Sequence, residues 1–284
     1  MVQAEICGFL PSDFAGDWAP PMDLGPARVV EYGARHTIEI RDARRIQAGN
    51  PSEAEFFERH GFVLLPHATA VKDWDEDIGS VYVPEIERII RERLLPDRRI
   101  EVSQSVKVTR RGRSKRHFAE GVHSDGPLTV DSYAFNVGAF GLQEAVRRWR
   151  QSYAREEVSG LVSIDFWRTT NMDAPLRHMP LALCDPNSVE GADMIPTTTQ
   201  TVAPAGRTTH HIVLRHNPGQ EWYYYPEMTS SEVIAFKMCE FWKDDPDAAP
   251  QNVFHTAFCD PSTPPDAEER QSCEHRAAVF ILRD

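Results

Sequence analysis

The chain has 284 residues, 41% of them apolar and 26% charged, with a net charge of −12. That is the composition of an ordinary folded protein, long enough to bury a substantial core. It excludes the basic stripe of a nucleic-acid binder, and no apolar run approaches the roughly 20 residues of a membrane span.

The N-terminal stretch "MVQAEICGFLPSDF" has no basic leader and no long apolar run, so no secretory signal is expected, and a cytoplasmic location is. Residues 1–27 are Pro-rich and expected to be irregular. "RVVEYG" and "HTIEIRD" read as short strands. "PSEAEFFERHGFVLLPH" reads as a helix stopping near Gly61, then a strand from Phe62 to Leu65. In "YVPEIERIIRERLLP", Pro84 suits a first helical turn, and Ile86, Ile89, Ile90 and Leu94 form an apolar stripe. "IEVSQSVKVTRR" alternates like a half-buried strand, and the basic run Arg110 to His117 reads as a solvated loop. Leu142, Val146, Trp149 and Tyr153 mark one helix face. "LVSIDFWR", "TTHHIVLRHN" and "EWYYYP" read as strands, the last two joined by an Asn-Pro-Gly turn. "TSSEVIAFKMCEFWK" opens with a capping box, Thr229 and Glu232, and continues with Ile234, Met238 and Phe241 on one face, which predicts a helix. "QNVFHTAF" and "SCEHRAAVFIL" close the chain as strands.

Many short strands with few helices predict an α+β, mainly β fold: a double-stranded β-helix, or jelly roll. Its core is expected over residues 100–284, with helices near 84–95, 142–155 and 230–243 outside it. Residues 1–99 are expected to pack on that core within one domain. Five scattered cysteines, Cys7, Cys184, Cys239, Cys259 and Cys273, show no C-x-x-C and fit a reduced compartment.

The stretch "EGVHSDGPL" carries the chemistry. His123 and Asp125 stand two apart, and in a strand such residues share a face. One more histidine would complete a two-histidine, one-carboxylate triad, which holds Fe(II) on one side and leaves positions open for a co-substrate and dioxygen. His210 and His211 are candidates, although adjacent strand residues face opposite ways, so at most one points inward. His255 is the other. Fifteen residues beyond it, Arg270 and Ser272 stand at i and i+2 in "RQSCEHR". A guanidinium and a hydroxyl on one strand face suit a carboxylate. The same tripeptide at Arg150 to Ser152 lies in a predicted helix, where i and i+2 do not share a face.

The stretches "VHSD", "DFWR", "PLALCDPNSV", "EWYYYPEMTSSEVIAFK", "HTAFCDP" and "RQSCEHR", in that order, resemble a family of non-haem iron, 2-oxoglutarate-dependent oxygenases. It includes gibberellin desaturase and the AsaB/CmcJ-like enzymes of secondary metabolism. The resemblance implies Fe(II), 2-oxoglutarate and dioxygen as cofactor and co-substrates. It implies His123, Asp125 and His255 as iron ligands and Arg270 and Ser272 as the grip on 2-oxoglutarate, with Arg276 matching a second arginine of the closing strand. It implies hydroxylation, desaturation or oxidative cyclisation of a small natural-product intermediate. The chain departs from the family pattern at Thr169, where a proline is usual, and at Gln220 and Glu221, where a histidine is usual.

A second class is a non-catalytic jelly-roll protein that binds a metal or ligand. A complete triad beside a dicarboxylate grip argues against it. Trp222, Tyr223, Tyr224 and Tyr225 read as strand packing before they read as a pocket wall. Arg168 suits either the co-substrate or a salt bridge, and His60, His67 and His178 read as caps or surface groups.

Overall fold

The N-terminal segment begins in a strand. The computed structural model describes residues 1–21, 33–50, 52–112, 118–141, 143–199 and 207–284. β1 (Val2–Phe9) pairs antiparallel with β2 (Ala34–Asp42). This corrects the expectation of an irregular start: Ala4 and Ile6 alternate with exposed Gln3 and Glu5, and the prolines begin only at Pro11. Of the strand expected at "RVVEYG", only Gly33 lies within the described residues.

The short helix α1 (Ala43–Gln47) leads to α2 (Glu53–His60). Ser52 caps α2 by accepting from the Glu55 N–H at 3.1 Å, and Gly61 ends it. β3 (Phe62–Pro66) follows. α3 (Val83–Ile89) is continuous with helical turns at Ile78–Tyr82 and Ile90–Leu94, and Ile86, Ile89, Ile90 and Leu94 are buried, as their spacing predicts. β4 (Arg99–Gln104) and β5 (Thr109–Arg111) complete this part, so Arg110 and Arg111 are strand residues, while 113–117 lie outside the described residues.

Two helices follow the H-S-D stretch. α4 (Val130–Phe140), capped by Thr129, was not expected, because Gly138 and the β-branched Val130 and Val137 weaken its signal. α5 (Gln143–Ala154) matches expectation: Trp149 and Tyr153 pack on Val158, Leu161 and Phe280. Leu142 lies outside the described residues. The remaining strands are β6 (Val158–Thr169), β7 (Leu181–Cys184), β8 (Met194–Thr199), β9 (Thr209–Leu214), β10 (Trp222–Tyr224), β11 (Glu232–Trp242), β12 (His255–Ala257) and β13 (Ser272–Leu282).

β11 overturns the helix expected over 230–243. The Thr229–Glu232 pair does form, with the Thr229 N–H donating to the Glu232 carboxylate at 2.8 Å, but it closes a turn into a strand. Arg44 also grips that carboxylate with two bonds, at 2.7 and 3.0 Å. Val233, Ile234, Ala235 and Phe236 are all buried, because β11 lies between β3 and β6 with both faces covered. A strand buried on both sides reads as a continuous apolar run, which helical spacing also fits.

The strands form two main sheets. One runs β1-β2-β10-β7-β12, and the other β3-β11-β6-β13-β4, with β5 also on β13. β8 and β9 form a separate pair. Isolated bridges join Cys7 to Gly121, His123 to His255 and Ser124 to Ile212, so the H-S-D stretch fastens β1, β9 and β12 together. The fold is the mainly-β jelly roll with flanking helices that the strand count predicts. The first 99 residues supply β1 and β2 to one sheet and β3 to the other. None of the described helices is long and apolar enough to cross a membrane.

Candidate metal centre

Backbone pairing sets the two histidines face to face. The His123 N–H donates to the His255 carbonyl at 3.2 Å, and the His255 N–H to the His123 carbonyl at 3.0 Å. Each ring is then anchored to the carbonyl two residues before it. His123 Nδ1 lies 2.7 Å from the Gly121 oxygen, and His255 Nδ1 3.2 Å from the Val253 oxygen. A carbonyl can only accept, so both Nδ1 atoms carry the proton and both Nε2 atoms offer a lone pair. Asp125 Oδ2 lies 3.7 Å from His255 Nε2. One ligand atom from each of His123, Asp125 and His255 lies within 4.8 Å of the others. Two imidazoles and a carboxylate are a donor set that fits a divalent transition metal.

Electrostatics suits a cation there. Burial drives His123 down to about 4, and His255 is lowered for the same reason, so both are neutral at pH 7. Burial would raise Asp125, but the Arg276 guanidinium beside it more than offsets this and holds the carboxyl below the usual range.

The loop between the ligands is held by a small polar network. The Asn252 amide donates to the Met238 carbonyl at 2.6 Å and to the Gly126 carbonyl at 3.2 Å. It also reaches the Ser124 hydroxyl at 3.3 Å. A Cβ at Gly126 would stand 2.2 Å from the Met238 oxygen, so only glycine allows this approach. Gly8, at φ +94°, is required similarly: its Cβ would meet the Val122 nitrogen at 2.5 Å, where β1 accepts the Val122 N–H.

His211 is buried but engaged elsewhere. Its Nδ1 donates to the Ser124 carbonyl at 3.2 Å, and its Nε2 accepts from the Thr209 hydroxyl at 2.9 Å. His210 faces the other way, stacked on Phe135 and bonded to Ser132 at 2.9 Å. Neither joins the cluster among the described residues.

Arg270 and Ser272 sit where β13 begins. Arg270 is 1% exposed; its Nη1 donates to the Met179 carbonyl, and its guanidinium lies over Phe118 and Trp167, 4.0 and 5.4 Å from the ring centres. Burial, with Arg111 nearby, pulls its pKa down to about 9. Its Nε and the Ser272 hydroxyl are buried without a hydrogen-bond partner. Two buried donors on residues two apart in the chain, both left open, fit an incoming carboxylate. Arg276 is occupied: it donates to Asp125 at 2.7 Å and to Asp165 at 3.4 Å, and lies 3.5 Å from Glu274.

Arg168 points away from this chemistry, into contacts with His67 and Ser230 on the far face of β6. Trp222 to Tyr225 are all buried in the core. His60 bonds Asp185 at 2.6 Å, and His178 accepts the Arg270 N–H at 3.4 Å. Sequence reasoning did not find Asp165 and Asn252. Asp165 had a signal, an acid inside the apolar run "LVSIDFW", which must find a cation if that strand is buried. A cavity of about 640 Å³ opens beside Asp125 and Arg276.

The chain matches the family model described as "Oxidoreductase/YMDC permease-like domain" over residues 21–280. It is 25% identical to the alpha-ketoglutarate-dependent dioxygenase phiK of a fungal species over 260 residues, covering 89% of this chain and 88% of that one. It is 30% identical to the hydroxylase/desaturase asaB of Aspergillus flavus over 174 residues, 55% of this chain and 76% of the relative. Among solved structures, the iron and alpha-ketoglutarate-dependent endoperoxidase NvfI superposes with a TM-score of 0.71 at 19% identity, covering 99% of this chain and 98% of that one. That likeness shows the shared fold.

Proposed function

The chain belongs to the oxidoreductase/YMDC permease-like family, and on that premise we propose that it is an Fe(II)- and 2-oxoglutarate-dependent oxygenase. Its substrate is a small natural-product intermediate, which it hydroxylates, desaturates or oxidatively cyclises. The observation that carries this reading is the juxtaposition of His123, Asp125 and His255, with two Nε2 lone pairs and a carboxylate aimed at one point.

In this reading those three side chains hold the iron, and Arg270 and Ser272 take the far carboxylate of 2-oxoglutarate. Arg270 is favoured over Arg276 for that grip, since the partners of Arg276 are protein carboxylates. Arg276 instead orients Asp125 and offsets the cost of burying its charge. The metal, with its co-substrate, supplies dioxygen activation. The chain's own part is placement: Nδ1 anchors fix each imidazole, Asn252 and Gly126 fix the loop, and the jelly roll excludes water. Succinate formation from 2-oxoglutarate that requires both Fe(II) and dioxygen tests the proposal. His255→Ala should lose iron binding itself. Iron bound through His210 or His211, with His255 turned away, would defeat the ligand assignment.

A further inference from the structure

The walls of the cavity beside Asp125 can be read strand by strand from the sheet register. On its inner face Arg276 of β13 lies opposite Asp165 of β6. Two residues along, Ser103 of β4, Ala278 of β13 and Ser163 of β6 stand in one row. Two further along, the row is Glu101, Phe280 and Leu161. The middle row is thus small, between a charged row at the metal centre and a bulky row that packs against Tyr133, Trp149 and Tyr153. The cavity of about 640 Å³ is lined by this small row below and by Val137, Phe140 and Trp149 of the α4–α5 pair above. That volume is in the range of sites for drug-sized ligands, ~300–1,000 Å³.

Charge narrows the occupant. Among the described residues the charged lining side chains are Glu101, Asp125, Arg148 and Arg276. Asp125 pairs with Arg276 at 2.7 Å and Glu101 with Arg155 at 2.5 Å, while Arg148, 69% exposed, shares Glu144 with Arg147. Beside Asp125 and the small row, away from exposed Arg148, an ionised ligand would lose hydration and gain no free counter-charge. The aromatic and aliphatic roof rewards buried apolar area, and the small-residue floor leaves room for a ring system.

We infer that the cavity takes a neutral, predominantly apolar, ring-bearing molecule of drug-like size, laid along the Ser103–Ala278–Ser163 row with one edge toward Asp125. The inference rests on the oxygenase reading for calling this molecule the substrate. The cavity, its row of small residues and its balanced charges stand without that reading.

The test is equilibrium dialysis of the purified protein against two probes of one skeleton: progesterone, which is neutral, and pregnenolone sulfate, which is anionic. Progesterone should bind saturably, and the sulfate about tenfold or more weakly, from the uncompensated charge. Ser103→Trp, which adds an indole from a solvent-exposed edge-strand position, should weaken progesterone about tenfold or more by filling the slot. Val137→Trp, from the helical roof, should do the same, which guards against a folding defect in either variant. Absence of saturable progesterone binding, equal or tighter binding of the sulfate, or indifference to both tryptophans would overturn the inference. Dioxygen-dependent succinate formation by the wild type is measured in parallel. Its absence strikes the oxygenase reading alone, and the dialysis result still decides the ligand class.

Discussion

Arg168 and Arg270 are both buried guanidiniums, 0% and 1% exposed, and they lie on opposite sides of one sheet. Arg168 is on the outer face of β6. It donates to the His67 carbonyl at 3.0 Å, to His67 Nδ1 at 3.2 Å and to the Ser230 carbonyl, and it lies near the rings of Trp74 and Tyr82. Arg270 stacks on Trp167, which alternation turns to the inner face. Its side chain has one carbonyl partner and an open Nε, and Ser272, two residues on, has an open hydroxyl. The lesson is about which buried charge marks a site. Neither burial nor an open Nε distinguishes the two arginines, since both Nε atoms lack a partner; the acceptors on the rest of each guanidinium do, three for Arg168 and one for Arg270. A guanidinium tied to several carbonyls is finished as a structural member, whereas one held mainly by aromatic faces awaits an anion.

The strongest way to break this contrast is Arg270→Ala. Turnover should fall about a hundredfold or more at ordinary 2-oxoglutarate concentrations, as expected for a buried carboxylate that loses its partner. Iron binding, followed by metal titration, should remain nearly intact. Arg270→Lys keeps charge without the planar fork and should mainly raise the apparent KM for 2-oxoglutarate. If Arg276→Ala alone produced these effects, the grip would belong to the inner-face arginine that already holds Asp125.

Acid should next expose buried histidines on both faces. His123 and His211 on the inner side and His275 on the outer are each driven to about 4 by burial, against an unfolded value near 6.5. A histidine lowered in the folded state is neutral there while the unfolded chain takes up a proton. Stability is therefore full above pH 6.5 and is lost as pH falls toward 4. The metal-free protein should lose roughly 1 kcal/mol per histidine between pH 7 and 5.5 in denaturant titrations. A flat profile there would show that these rings find acidic partners or solvent.

Arg168→Met sharpens the outer half of the comparison. It should cost about 2 kcal/mol of stability by stranding two carbonyls, while the KM for 2-oxoglutarate of the folded fraction stays unchanged. A changed KM would mean the two faces are coupled. The smallest effect is expected from Ser272→Ala, about 1 kcal/mol in apparent 2-oxoglutarate affinity, or somewhat more because the partner is charged. No effect at all would remove the serine from the grip.

Much of this could be read without coordinates, for reasons that differ by element. Strands β6, β9, β10 and β13 announce themselves by composition and the turn residues that bound them, and α3 and α5 by apolar stripes at helical spacing. The H-x-D pair is legible because period two needs only local backbone geometry to place both side chains together. The motif order that resembles the oxygenase family agrees with the relatives the chain matches. β11 was misread because a strand covered on both faces carries no period of its own.

What the chain determined by itself was chemistry: donor types and their local spacing. What only tertiary structure decided was partnership. His255 meets His123 across 132 residues of chain through a backbone bridge, and nothing local to either one specifies that pairing. Arg276 was drawn to Asp125, Asp165 and Glu274, and Arg168 to the opposite face, because a buried guanidinium goes where acceptors converge. Convergence is a property of packed elements, since loop closure brings distant residues together at an entropic cost that only the whole core offsets.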